Sequence, residues 1–152
     1  MSKEKQKELE KKYQFQTEYV KDITQFKQSL FNKKLIPYQV EFQAPPRGKK
    51  ICWLECPYCY GLSAEDNGER LDKDRGIKIL DEILGGGVKK IIFAGYATDP
   101  LNCSYIDDLL NLTVSKKAVF GFNTKALKIS NRFFDILDQN QIVDSSYISL
   151  SI

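Results

Sequence analysis

The sequence predicts an α/β protein in which parallel strands alternate with helices behind a helical N-terminal arm. From about residue 37 onward, segments with apolar residues at helical spacing alternate with short apolar or alternating runs typical of strands. Glycine and proline separate these segments, most clearly at Gly85–Gly87. Strands that alternate with helices indicate right-handed βαβ crossovers and therefore a parallel sheet.

The N-terminal arm is predicted to be one helix over residues 3–35. Its apolar side chains recur near helical spacing among Lys, Glu and Gln, and Pro37 follows the end of the pattern. We therefore divide the chain of 152 residues into an arm, residues 1–36, and a core, residues 37–152.

The core is predicted to contain three βα units and a fourth strand. Its elements are a strand over Tyr38–Gln43, a helix over Leu71–Leu84, a strand over Val88–Ala94, a helix over Ser104–Leu112, a strand over Ala118–Phe122, a helix over Ile129–Gln139 and a strand over Tyr147–Ile152. Ser104 and Ser130 are the predicted N-caps of the second and third helices. The sequence stops within the last strand, and a buried parallel strand is an unusual terminus. We therefore expect the N-terminal part of a longer protein.

Composition excludes several functional classes. The chain has no histidine, which excludes Ser-His-Asp and Cys-His catalysis and any histidine-containing metal site. A net charge of +3 is too small to indicate a polyanionic partner. No apolar run approaches the ~20 residues of a membrane span, and the polar N-terminus is not a secretory signal. We therefore expect a cytoplasmic protein that does not bind a membrane.

Three of the four cysteines form a compact motif. Cys52, Cys56 and Cys59 have the spacing C-x3-C-x2-C, whereas Cys103 is distant and is not assigned to the motif. Disulfides, a structural zinc site completed by Cys103 and inert packed thiols are three alternatives. The fourth is a [4Fe-4S] cluster held by three thiolates, which leaves one iron open to an exogenous ligand.

The motif resembles the cluster-binding loop of the radical S-adenosylmethionine (radical SAM) superfamily. In that family the three cysteines follow the first strand, and an aromatic residue, here Tyr58, precedes the third. The resemblance implies a radical SAM type partial (βα) barrel, with Cys52, Cys56 and Cys59 as ligands of a [4Fe-4S] cluster. S-adenosylmethionine (SAM) would then be the second cofactor.

The resemblance also implies a set of SAM contacts. Ala97, Thr98, Asp99 and Pro100 take the place of a Gly-Gly-Glu-Pro segment that contacts the SAM amino group, although the glycines are missing and Glu is shortened to Asp. A turn before the next helix is the alternative for Asp99 and Pro100. The complete predicted set is Tyr58, Ala97, Thr98, Asp99, Asn123 and Ser149. The alternative for Asn123 and Ser149 is that they are simply polar residues at the ends of strands, without a role in binding.

The activity implied is reductive cleavage of SAM to methionine and a 5′-deoxyadenosyl radical, which abstracts hydrogen from a substrate. A peptide or protein substrate is favoured over tRNA or a small molecule, because the sequence Cys-Pro-Tyr-Cys-Tyr-Gly resembles the peptide-maturing members. The electron donor would be a flavodoxin or ferredoxin, which Arg47, Lys49 and Lys50 could attract unless they form only a solvated loop. The alternative function is a non-enzymatic scaffold that binds zinc or an iron–sulfur cluster.

Overall fold

The computed structural model describes residues 24–37, 39–46, 52, 56–59, 69–95, 98–126, 128–139 and 147–150. The chain divides into two compact units, Met1–Tyr38 and Gln39–Ile152. In the first unit, helix α1 spans Thr24–Phe31. The rest of the arm helix predicted over residues 3–35 either lies outside the described residues or follows the end of α1 as a turn and irregular chain.

The second unit is α/β, as predicted. Its strands are β1 (Val40–Ala44), β2 (Lys90–Gly95), β3 (Val119–Thr124) and β4 (Tyr147–Leu150). Its helices are α2 (Lys73–Gly85), α3 (Ile106–Ser115) and α4 (Asn131–Gln139), with a short 3₁₀ helix over Pro100–Asn102. Each core element predicted from the sequence is present with its ends shifted by a few residues, and the 3₁₀ helix was not predicted.

The four strands form one parallel sheet in the order β1-β2-β3-β4. In this sequential order each crossover moves one strand in the same direction, so right-handed crossovers place all connecting helices on one face of the sheet. The helices agree with this arrangement, because α2 packs against α3 and α3 packs against α4. All the carboxyl ends of the strands therefore meet at one edge of the sheet, which we call the carboxyl edge.

An aromatic row forms the core between the sheet and the helices. Phe42, Phe93 and Phe122 are register partners on adjacent strands. The Phe93 and Phe122 rings stack with their centroids 5.1 Å apart, and Phe133 of α4 packs edge-on against Phe122 at 5.5 Å. All four rings are buried. Large aromatic side chains bury the most apolar area per residue, so this row helps to fix α4 against the sheet.

The three core helices begin in different ways. Asp72 caps α2 by accepting a hydrogen bond from the Arg75 N–H at 2.8 Å, and Ser130 caps α4 through the Phe133 N–H at 3.0 Å. The Ser130 cap was predicted. The prediction that Ser104 caps α3 was wrong, because α3 begins one residue later than predicted. Its N-cap residue is Tyr105, which makes no side-chain cap hydrogen bond. Asp99 caps the preceding 3₁₀ helix instead.

No helix among the described residues is both long and apolar enough to cross a bilayer.

Two weakly acidic groups are buried where the 3₁₀ helix leads into α3. Burial raises the pKa of the Cys103 thiol from 9.0 to about 11. Burial, together with the neighbouring Cys103, also raises the pKa of Tyr105, whose hydroxyl donates to the Leu71 carbonyl at 2.7 Å. Each group is thus held in its neutral form by the fold.

We expect alkaline pH to destabilise the second unit through Cys103. The pKa of this thiol is higher in the folded chain, so its contribution is complete below about pH 9 and is lost as the pH rises through about 11. The urea midpoint of unfolding should fall over this range, and it should fall less in Cys103→Ala. An equal fall in the two proteins would contradict the assignment.

Candidate functional site

The Asp99 carboxylate connects the carboxyl ends of β2 and β3. It accepts the Leu101 N–H at 2.9 Å, which caps the 3₁₀ helix. From β3 it accepts the Thr124 hydroxyl at 2.7 Å and the Lys125 N–H at 2.6 Å. Both oxygens are therefore engaged by the chain itself. The turn predicted at Asp99-Pro100 is present, while a contact between Asp99 and SAM stays a prediction.

The chain turns sharply directly after β3. Ala126 has a φ of 53°, in the left-handed region that a non-glycine residue adopts at a cost. The Thr124 hydroxyl accepts the Ala126 N–H at 2.9 Å while it donates to Asp99. One hydroxyl thus holds the strained turn and joins it to the loop after β2.

Two of the three motif cysteines lie in one tight turn. The Cys59 N–H donates to the Cys56 carbonyl at 2.9 Å, which closes a β-turn over Cys56, Pro57, Tyr58 and Cys59. Proline favours the second position of such a turn because its ring fixes φ. We call residues 56–59 the cysteine turn. Cys52 lies just before it in the chain, and all three thiols are half-buried and free of disulfides.

Lys125 connects the cysteine turn to the end of β3. Its Nζ donates to the Tyr58 hydroxyl at 2.8 Å and lies 5.0 Å from the centre of the ring. This hydrogen bond is the main cause of the raised pKa of Lys125, and Coulombic interaction with Cys56 and Cys59 raises it further. Tyr58 is 72% exposed, so its contact with Lys125 fixes a side chain that lies largely in solvent.

The loop after β2 depends on one glycine. A Cβ at Gly95 would overlap the carbonyl oxygen of Thr98, so only glycine allows the loop to fold back this closely. The Thr98 hydroxyl oxygen is buried and has no hydrogen-bond partner within the described part of the chain. Ala97, another predicted contact, lies outside the described residues, as do Arg47, Lys49 and Lys50.

The remaining predicted contacts lie side by side on the sheet. Asn123 and Ser149 are register partners on β3 and β4 near the carboxyl edge. The predicted residues that the structure connects are thus of two kinds: Asn123 and Ser149 by strand register, and Tyr58 and Asp99 through Lys125. Sequence reasoning missed Lys125, although it directly follows Asn123 and Thr124 at the polar end of a strand.

The chemistry of the three motif cysteines fits the ligands of an iron–sulfur cluster. Three half-buried thiols outside any disulfide, on one short segment, are the ligand type that such clusters require, and each can bind a different corner of a cubane. Across the described positions, no three Cys, Asp or Glu side chains are arranged to hold one metal ion. The unsatisfied Thr98 hydroxyl offers a further polar group at the carboxyl edge.

Comparison of the chain with protein-family models, with curated proteins and with solved structures finds no match.

We expect Gly95→Ala to destabilise the second unit by about 2 kcal/mol or more, because backbone atoms of the loop must move to admit the methyl group. Gly85→Ala is the matched control, since a Cβ there meets no atom within 4 Å. It should leave stability unchanged or raise it by about 0.5 kcal/mol. Urea denaturation followed by circular dichroism measures both. Equal losses in the two variants would refute the close approach at Gly95.

We expect Asp99→Asn to lower the free energy of unfolding by about 1–3 kcal/mol, because one oxygen that accepts N–H groups becomes an NH₂ donor. Asp81→Asn is the control, since Asp81 makes an exposed ion pair with Lys116 at 2.7 Å. Asp81→Asn should lower the free energy of unfolding by less than about 1 kcal/mol. The same urea titrations compare them, and an Asp99→Asn variant as stable as Asp81→Asn would rule out the connecting role.

Proposed function

We propose that the second unit, Gln39–Ile152, is part of a radical SAM enzyme core of partial (βα) barrel type. The observation that carries the proposal is the C-x3-C-x2-C segment, whose cysteine turn is hydrogen-bonded to the carboxyl end of β3. Parallel sheets bind ligands outside the carboxyl ends of their strands, so the motif occupies a position suited to cofactor chemistry. The sequential strand order supports the barrel type, since a doubly wound sheet reverses its order at a switch point.

In this proposal the thiolates of Cys52, Cys56 and Cys59 hold a [4Fe-4S] cluster. When bound, such a cluster would supply the one-electron reduction chemistry by which SAM is cleaved. The chain itself contributes position and environment. Asp99 and Thr124 fix the two strand ends against each other, and Lys125 fixes the cysteine turn.

Polar groups at the carboxyl edge supply the SAM contacts of the proposal. The buried Thr98 hydroxyl is satisfied when it donates to a bound polar group, and burial without such a partner costs free energy. Asn123 and Ser149 provide neighbouring polar positions one strand apart. Both Asp99 oxygens accept hydrogen bonds within the chain, so main-chain carbonyls of the loop after β2 are further acceptors for the SAM ammonium beside Asp99.

The substrate class and the reductant belong to the same proposal. A peptide or protein substrate is favoured by the resemblance of the motif to peptide-maturing members. A flavodoxin or ferredoxin supplies the electron.

Anaerobic reconstitution with iron and sulfide tests the proposal. We expect about four irons per chain, an EPR signal of the reduced protein that changes on addition of SAM, and formation of 5′-deoxyadenosine with a reductant. A variant in which Cys52, Cys56 and Cys59 are all alanine should lose all three. Cys103→Ala is the matched control and should retain them, because Cys103 is buried and is not part of the C-x3-C-x2-C motif.

Binding of zinc in place of iron would overturn the proposal and leave a metal-binding scaffold. Iron that remains in the triple variant, or a cluster signal indifferent to SAM, would overturn it as well.

A further inference from the structure

Hydrogen bonds hold the backbone of Lys125 in place. Its N–H donates to the Asp99 carboxylate at 2.6 Å, and the residues on either side, Thr124 and Ala126, are joined by the hydrogen bond to the Thr124 hydroxyl. The position of Lys125 is therefore fixed relative to both the β2 loop and the end of β3. When the backbone is already fixed, a long side chain loses less conformational entropy on forming a contact than it would on a mobile backbone.

The Lys125 side chain extends to the cysteine turn. The Lys125 ammonium donates to Tyr58, which lies 67 residues earlier in the chain and between Cys56 and Cys59. Tyr58 is otherwise largely exposed, so this contact is its main tether among the described residues. The Lys125 ammonium therefore lies at the cysteine turn, 2.8 Å from the hydroxyl of the residue between the two cysteines. The effect of Cys56 and Cys59 on the raised pKa of Lys125 agrees with this position.

We propose that Lys125 is a positioning residue for the cysteine turn: it holds the turn against the carboxyl edge through Tyr58 and places a positive charge at the turn that carries Cys56 and Cys59. Only the effect of the charge on a bound cluster rests on the proposed function. The tether itself is a property of the chain without metal. In the loaded protein this charge favours the reduced cluster over the oxidised one, because the reduced cluster is the more negative of the two.

Hydrogen exchange of the metal-free protein tests the tether. Peptides that cover residues 56–60 report the turn hydrogen bond of Cys59. We expect exchange to become about two- to fivefold faster in Lys125→Met, which removes the donor, and in Tyr58→Phe, which removes the acceptor. The double variant should match Lys125→Met, because loss of the lysine already removes both its hydrogen bond and its ring contact with Tyr58. Lys125→Arg should approach the wild type, and Lys128→Met is the control for loss of a nearby exposed lysine.

The reconstituted protein tests the charge. We expect the midpoint potential of the cluster to become more negative in Lys125→Met and in Lys125→Gln, and to stay near the wild-type value in Lys125→Arg. Release of iron to a chelator should accelerate about tenfold in Lys125→Met, the size of effect typical when a partner of a metal ligand is lost. A role limited to folding would change thermal stability without shifting the potential.

The outcomes separate the two proposals. If the wild-type chain binds no cluster, the proposed function fails, and hydrogen exchange alone decides whether Lys125 holds the turn. If the cluster forms but Lys125→Met leaves both exchange and potential unchanged, the positioning role is overturned and the proposed function stands. Additive effects in the double variant would also overturn it, because they would show that Lys125 and Tyr58 act through different contacts.

Discussion

The Asp99 carboxylate joins the ends of β2 and β3, and the arrangement of the candidate site depends on this connection. Parallel strands end independently, and nothing in the sheet ladder holds the loops that follow them. Asp99 supplies that connection by accepting donors from its own loop and from Thr124 and Lys125. A carboxylate that accepts several hydrogen bonds is a stronger anchor than a neutral acceptor, because its bonds are charge-assisted.

The core elements could be predicted because their signals are local. The buried β2 strand is a continuous apolar run, and α2 follows the helical period up to its glycines. The wrong prediction of a Ser104 cap shows that local signals do not always locate the first residue of a helix. Asp99 starts a 3₁₀ helix first, which shifts the beginning of α3 past Ser104. Two nearby capping residues compete, and local propensity alone does not decide between them.

The candidate site was predictable only in part. Three cysteines in one short segment define a ligand set by spacing alone, and Pro57 indicates a turn between two of them. The contact between Lys125 and Tyr58 spans 67 residues, so only the packing of the sheet brings the two together. Ala97 and Thr98 stand where the family segment has glycines, which makes close approach of the backbone less easy at these positions. Gly95 instead provides the close approach of the backbone, on the strand side of the expected segment.

The four cysteines differ in access, and this gives the molecule a built-in labelling contrast. Cys52, Cys56 and Cys59 are half-buried, whereas Cys103 is 4% exposed and its pKa is raised to about 11. Alkylating reagents attack the thiolate, so Cys103 reacts only when the surrounding structure opens. Its modification rate therefore measures global opening, while the rates of the motif thiols measure movement of their own segment. One time course followed by mass spectrometry separates the two motions in the same sample.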